Sequence, residues 1–160
     1  MDTKDKLAAI DLYERGGSAF DDLRYLDPEL LTFRPFETAW TIHEQVVHFL
    51  DSDIASFHRY RTAVAVPGGP VLGYNEEAWT PALGYHGQDL GDTILLIGLL
   101  RSYAARHLRT MADRDWTALA YVHDAKGRVD LEHWIMQYID HVRFHRELID
   151  RNLRLWNERR

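Results

Sequence analysis

The chain contains no cysteine. That absence excludes disulfide staples, thiolate metal ligands and a cysteine nucleophile, and it fits a reducing compartment. No long apolar run is present either. The longest, ILLIGLL at 94–100, is far shorter than the roughly 20 residues that span a bilayer. The opening MDTKDKLAAIDLYERGG is charged throughout and lacks the apolar region of a signal peptide. These features predict a soluble, cytoplasmic protein without a membrane partner. A massed basic surface is missing as well. Net charge is −6 and the basic residues are scattered, whereas phosphate neutralisation needs a coherent cationic face, so nucleic acid is not an expected partner. The local run RNLRLWNERR complements the negative end of a last helical turn. No Gly-rich phosphate loop, Gly-x-Ser-x-Gly elbow, dinucleotide fingerprint, internal repeat or low-complexity tract occurs.

What is present fits one globular domain over 1–160. A chain of this length can bury a sizeable core, and 46% hydrophobic with 12% aromatic residues supplies the material for it. Four segments carry helical periodicity. The first covers about 3–26, with Leu7, Ile10, Tyr13, Phe20 and Leu23 on one side and a weak point at Gly16-Gly17. Asp27-Pro28 closes it. The second starts at Thr41, whose hydroxyl forms a capping box with Glu44, and PGGP at 67–70 ends it. A long irregular stretch to about residue 89 reads as functional or as a lid. The third segment, about 92–112, is apolar nearly all round and is expected to be the most buried. TALAYVHDAKGRVDL then reads as a short β-hairpin, and the fourth helix covers about 131–156. The fold class that follows is all-α, a four-helix bundle with one long connection between its second and third helices.

The chemistry-bearing pattern is His48 together with His141 and His145. Positions i and i+4 of a helix lie about 40° apart and one turn apart in height, so the last two imidazoles can face one cation. A third histidine from another helix completes a facial set with open positions for water or substrate. The competing reading is two half-buried histidines bonded to backbone or carboxylates, with His48 at the surface. Indeed, His48 projects away from Ile42, Val46 and Phe57, on the side of Glu44, Ser52 and Ala55. Glu44 is a candidate carboxylate for orienting the His48 ring, alongside its capping role. Tyr74 and Trp79 in the long connection are candidate walls of a substrate cleft, and Tyr138 joins them from the fourth helix. The run His43-Glu44-Gln45-Val46-Val47-His48 is not a zinc-peptidase signature, because histidines five apart diverge by about 140°. His58, His86, His107, His123 and His133 have no paired spacing and read as surface or local structure.

RPFETAWTIHEQVVHFLDSD, YNEEAW, VHDAKGRVDL and the Tyr-x-x-His-x-x-x-His segment YIDHVRFH occur in that order along most of the chain. In this joint arrangement the sequence resembles the DinB-like superfamily, and within it the YfiT-like metal-dependent hydrolases. The resemblance implies a four-helix bundle, often a homodimer, that holds nickel or zinc on His48, His141 and His145. Phe49 and Phe144 stand where relatives often have further histidines, and Asp140 replaces a common aromatic residue. Neither phenylalanine removes a ligand. The function implied is a metal-dependent enzyme acting on a small-molecule substrate, provisionally a hydrolase, with no side chain marked as general acid or base. Two alternatives accompany it. One is an S-transferase using a low-molecular-weight thiol cofactor, whose sulfur the metal would hold as thiolate. The other is a non-enzymatic stress-response metal-binding module.

Overall fold

A computed structural model describes residues 1–159. Each long helix starts on a side chain able to accept from the exposed N–H groups of the first turn. Asp2 accepts from the Asp5 N–H at 2.8 Å and opens α1, Thr3–Arg15. A short α2, Pro28–Leu31, starts on Asp27. Thr41 and Glu44 exchange hydrogen bonds at 3.1 and 2.8 Å to open α3, Ile42–Ala65, as the capping box predicts. After β1, Pro70–Val71, comes α4, Glu76–Ala82, capped by Asn75. Asp89 opens α5, Leu90–Arg109. The strands β2, Ala120–His123, and β3, Gly127–Asp130, follow, and Asp130 caps α6, Leu131–Glu158.

The four long helices are the bundle expected from periodicity, but several boundaries differ. α1 ends at Arg15 rather than near Leu26, and Gly16–Ser18 turns off as a tighter helical turn. The reason lies in packing: a Cβ on Gly17 would sit 3.1 Å from the Cα of Gly98, so α5 passes against the bare backbone there. The connection between α3 and α5 is not wholly irregular, since it carries β1, α4 and the turn Tyr85–Gly87. The hairpin before α6 is present in antiparallel register, Ala120 opposite Asp130 and His123 opposite Gly127. A third strand joins it: β1 pairs parallel to β2 with Pro70 opposite Val122 and Val71 opposite His123. α5 is not buried all round. Leu95, Leu96, Leu99 and Tyr103 are exposed, while Ile94, Ile97, Ala104 and Leu108 face the core. Among the described residues no helix is long and apolar enough to cross a membrane.

The core has two parts. One gathers Ile10, Tyr13, Tyr60, Trp116 and Trp134 beside the sheet. The other gathers Phe20, Ile42, Val46, Phe49, Ile97 and Ile149 toward the opposite end. Each fully buried side chain of this size contributes roughly 1.5–3 kcal/mol, enough to hold α6 although its outer face is polar. Between the two parts lies a fully buried ion pair, Arg101 with Asp53, at 2.6 and 2.9 Å. The guanidinium lies 4.6 Å from the Tyr13 ring centroid and 4.8 Å from that of Phe49, touching one ring of each cluster. It also donates to the carbonyls of Tyr13 and Tyr138. Removing one member of such a pair strands a desolvated charge and costs about 3–5 kcal/mol. Asp53→Ala is therefore expected to lower the unfolding free energy by about that much, and Asp53→Leu combined with Arg101→Met by less. Urea unfolding of the two variants beside the parent chain tests this ordering.

Candidate metal centre

The face of α3 that carries His48 packs against α6, where His141 and His145 stand one turn apart. One ring nitrogen from each of the three lies within 4.8 Å of the other two. Among the described residues this is the one such cluster of three or more His, Cys, Asp or Glu side chains. Ring centroids are 5.0 Å apart for His48–His145, 5.7 Å for His48–His141 and 4.4 Å for His141–His145. His48 and His145 are buried and His141 is partly so. His48 is not a surface side chain, contrary to what its helical projection allows. From Thr41 to Leu50 every residue is buried, because α3 is enclosed on its polar side as well as its apolar one. There the Trp40 ring meets His48 edge-on at 4.9 Å, and Tyr74 lies 6.5 Å away.

The three rings are held by different means. His145 Nδ1 lies 2.6 Å from Gln45 Oε1. An amide oxygen only accepts, so Nδ1 carries the proton and Nε2 presents its lone pair. That Nε2 faces His141 Nε2 at 2.9 Å. The other face of His141 is stacked on Phe49, centroids 5.0 Å apart and planes 13° from parallel. The Nδ1 atoms of His48 and His141 are buried without a hydrogen-bond partner. Burial pushes the pKa of His48 down to about 4. Burial first, then the neighbouring His48, takes His145 to about 3. Burial followed by the charges of His145, His48 and Arg101 takes His141 to about 2. All three are thus neutral at pH 7, the form in which imidazole donates to a metal. Three converging, neutral, enclosed ring nitrogens fit a bound cation.

Glu44 does not orient His48. Its oxygens are occupied by the Thr41 N–H and by Arg34 at 2.6 Å. Gln45 supplies the ring acceptor instead, and does so for His145, from which it is separated by 100 residues. No spacing in the sequence relates those two side chains. His43 points elsewhere and donates to the Gln88 carbonyl at 2.9 Å, which agrees with the divergence expected of histidines five apart. Tyr74 and Tyr138 line the cleft beside the triad. Trp79 stands behind Tyr74, ring centroids 4.4 Å apart, and stiffens that wall rather than forming it. Sequence reasoning also missed Glu76, whose Oε2 lies 3.6 Å from His48 Nε2 at the exposed mouth. Arg59 and His123 extend the lining at the far end, both buried. Arg59 was open to detection, since eleven residues after His48 is three turns along one helical face. The cleft measures about 830 Å³.

Comparison with known proteins agrees with this architecture. Residues 13–149, which include all three histidines, match the model of the DinB superfamily. The protein named "Putative metal-dependent hydrolase YfiT" of Bacillus subtilis (strain 168) is 26% identical over 106 residues, 66% of this chain. The alignment spans 60% of that relative's length. A solved structure described as "YfiT from Bacillus subtilis is a probable metal-dependent hydrolase with an unusual four-helix bundle topology" superposes with a TM-score of 0.88. It covers 96% of this chain and 89% of its own at 21% identity, a likeness of fold. With a family model matched over most of its length and the YfiT-like helical arrangement around its core, the chain belongs to the DinB superfamily.

Proposed function

We propose that the chain is a metal-dependent hydrolase of small molecules whose divalent ion, nickel or zinc, is held by His48, His141 and His145. The observation that supports this most is the convergence of three neutral imidazole nitrogens at the wall of an open cleft. A structural zinc site is closed by four protein ligands, whereas three ligands beside a cleft leave room for reactants. When bound, a divalent ion supplies Lewis acidity, lowering the pKa of a coordinated water to about 7 and polarising an electrophile. The side chains do the rest. Gln45 fixes the tautomer of His145, and Phe49 fixes the plane of His141. Trp40 and Tyr74 flank His48 and limit the access of bulk water to it. Glu76, at the mouth, is placed to accept a hydrogen bond from an incoming nucleophile. The sequence similarity to a protein named as a metal-dependent hydrolase supports the same reading.

A thiol S-transferase is the second reading, favoured by the size of the cleft. About 830 Å³ lies toward the upper end for small-molecule sites and has room for two reactants. An electrophile offered with and without glutathione, bacillithiol or mycothiol separates the two. Turnover in water alone identifies a hydrolase; conjugation that requires the thiol identifies a transferase.

Untagged protein is expected to carry about one equivalent of divalent metal per chain, and His→Ala at any of the three positions to abolish uptake. Elemental analysis after incubation with zinc and nickel decides it, and a chain that stays metal-free refutes the reading. Gln45→Leu is expected to keep the fold and weaken metal affinity by about 10–100-fold, read by competition with a chromogenic chelator.

The depressed histidine pKa values have a consequence for the metal-free chain. Unfolded, each histidine takes up its proton near 6.5; folded, only near 4, 3 and 2. Between those values the unfolded state binds more protons, so stability is full above pH 6.5 and is lost as pH falls through that window. Urea midpoints are expected to drop between pH 7.5 and pH 5, and His141→Gln to make the slope shallower.

A further inference from the structure

Arg59 is the feature of the cleft that the metal reading leaves unexplained. Its side chain is enclosed, with the residue 7% exposed, yet among the described residues no carboxylate lies within ion-pair distance of it. Its partners are neutral: Nη1 donates to Tyr138 Oη at 3.0 Å and Nη2 to the Leu72 carbonyl at 3.3 Å. A desolvated charge without a counter-charge is costly, and proteins ordinarily compensate it. The contrast within this molecule is direct. Arg101, the other buried arginine, has a two-pronged partner in Asp53. Arg34, Arg109 and Arg146, nearer the surface, all have carboxylates at 2.6–2.7 Å. Lys6 is the other buried cation without an ion pair, but it donates to the Arg114 carbonyl and feels the nearby charge of Asp115.

The position of Arg59 is equally informative. It lies on the face of α3 that carries His48, three turns further along, and helical side chains lean back toward the N-terminus. Its partner Tyr138 precedes His141 by one turn of α6, and the Tyr138 ring centroid is 6.1 Å from that of His141. The guanidinium is therefore separated from the triad by a single aromatic ring. Three of its five N–H donors are not needed for these two contacts, and one stays free even if each contact takes two. His123 and Lys126 line the same end of the cleft. Burial and then the charge of Arg59 hold the His123 pKa below its usual value. The acidic group at this end, Asp124, turns its Oδ1 to the N–H groups of Gly73 and Ala125 and to His123 Nδ1, 2.9 Å away, and none of these contacts reaches Arg59. The acidic residues that line the cleft, Glu76 and Glu77, belong to the segment beside His48. Arg59 and Lys126 thus line the cleft away from the Glu76 and Glu77 segment, and the third lining cation, Arg151, already donates to Asn152 Oδ1 and lies over the Phe36 ring.

We propose that the missing counter-charge of Arg59 is supplied by the substrate: the cleft takes a small molecule bearing a carboxylate or phosphate, which Arg59 seats while the reacting atom lies at the three histidines. A planar guanidinium beside a hydroxyl matches either group in geometry and charge. This rests on the cleft being the reaction site, but it concerns a different end of that cleft and does not need the metal to be bound.

The test uses the full chain after chelation, so that anions cannot coordinate a metal and failure of metal uptake stays a separate result. Thermal unfolding is followed against inorganic phosphate and, in a second arm, succinate, with sodium chloride at matched ionic strength as reference. The parent chain is expected to gain stability saturably with one or both anions and not with chloride. Arg59→Met is expected to lose that gain, or to weaken the apparent affinity at least tenfold. Arg61→Met, an equal loss of charge at an exposed position of the same helix, is expected to keep it. Without anion, Arg59→Met should unfold at or above the parent temperature, because an uncompensated charge has been removed. If Arg59→Met folds poorly without anion, the arginine is a structural strut and the proposal falls. No saturable gain in the parent chain, or an equal gain in Arg59→Met, overturns it as well. Arg59→Lys adds a check of geometry: it keeps the charge and is expected to weaken the gain at least threefold, and an undiminished gain excludes a seat that depends on the guanidinium fork.

Discussion

One guanidinium holds the bundle in register. Arg101 projects from α5 and meets α3 through Asp53, α1 through the Tyr13 carbonyl and α6 through the Tyr138 carbonyl. Apolar packing is non-directional and tolerates sliding, whereas four charge-assisted hydrogen bonds from one planar group do not. The two hydrophobic clusters supply most of the burial, and the ion pair between them fixes how the helices are rotated against one another. A desolvated pair thus offers a fixed register that apolar residues of the same volume, free to slide, do not.

The same group reaches the candidate metal centre through one ring. Phe49 has Arg101 on one side, 4.8 Å from its centroid, and His141 stacked on the other. Around that stack the first turns of α3 are wholly enclosed, which is how His48 comes to be buried. The cleft is built from segments that have no helical partner of their own. The chain before Thr41 brings Trp40, the chain before α4 brings Tyr74, and the hairpin brings His123. A rigid histidine cluster on two long helices and a wall assembled from connections is a common division of labour between scaffold and specificity.

Much of this was legible in the sequence. The Thr41–Glu44 box, the hairpin ahead of Leu131 and the i,i+4 histidines are local patterns, and local patterns survive folding. What was not legible depends on partners distant in sequence. Gln45 and His145 are joined only by the docking of α3 on α6. The break after Arg15 falls where α5 passes close to Gly17 at Gly98, a contact that no local spacing announces. α4 has seven residues, no buried side chain and a proline inside it, so no apolar period announces it. The exposed face of α5 was misread because a helix that is apolar nearly all round looks the same in sequence whether enclosed or open on one side.

The two-residue strand β1 has a consequence for how relatives of this chain can diverge. Its parallel pairing with β2 fastens Val71 opposite His123, so the segments bearing Tyr74 and His123 share one hydrogen-bonded seam. An insertion or deletion between Gly69 and Tyr74, or between Ala120 and His123, would slip that seam and displace both walls of the cleft together. Length changes at the hairpin tip, 124–126, or at the turn, 83–88, would leave that seam in register. A change in what the cleft admits would then come more readily from exchange of side chains on this frame than from remodelling of the segments that carry them.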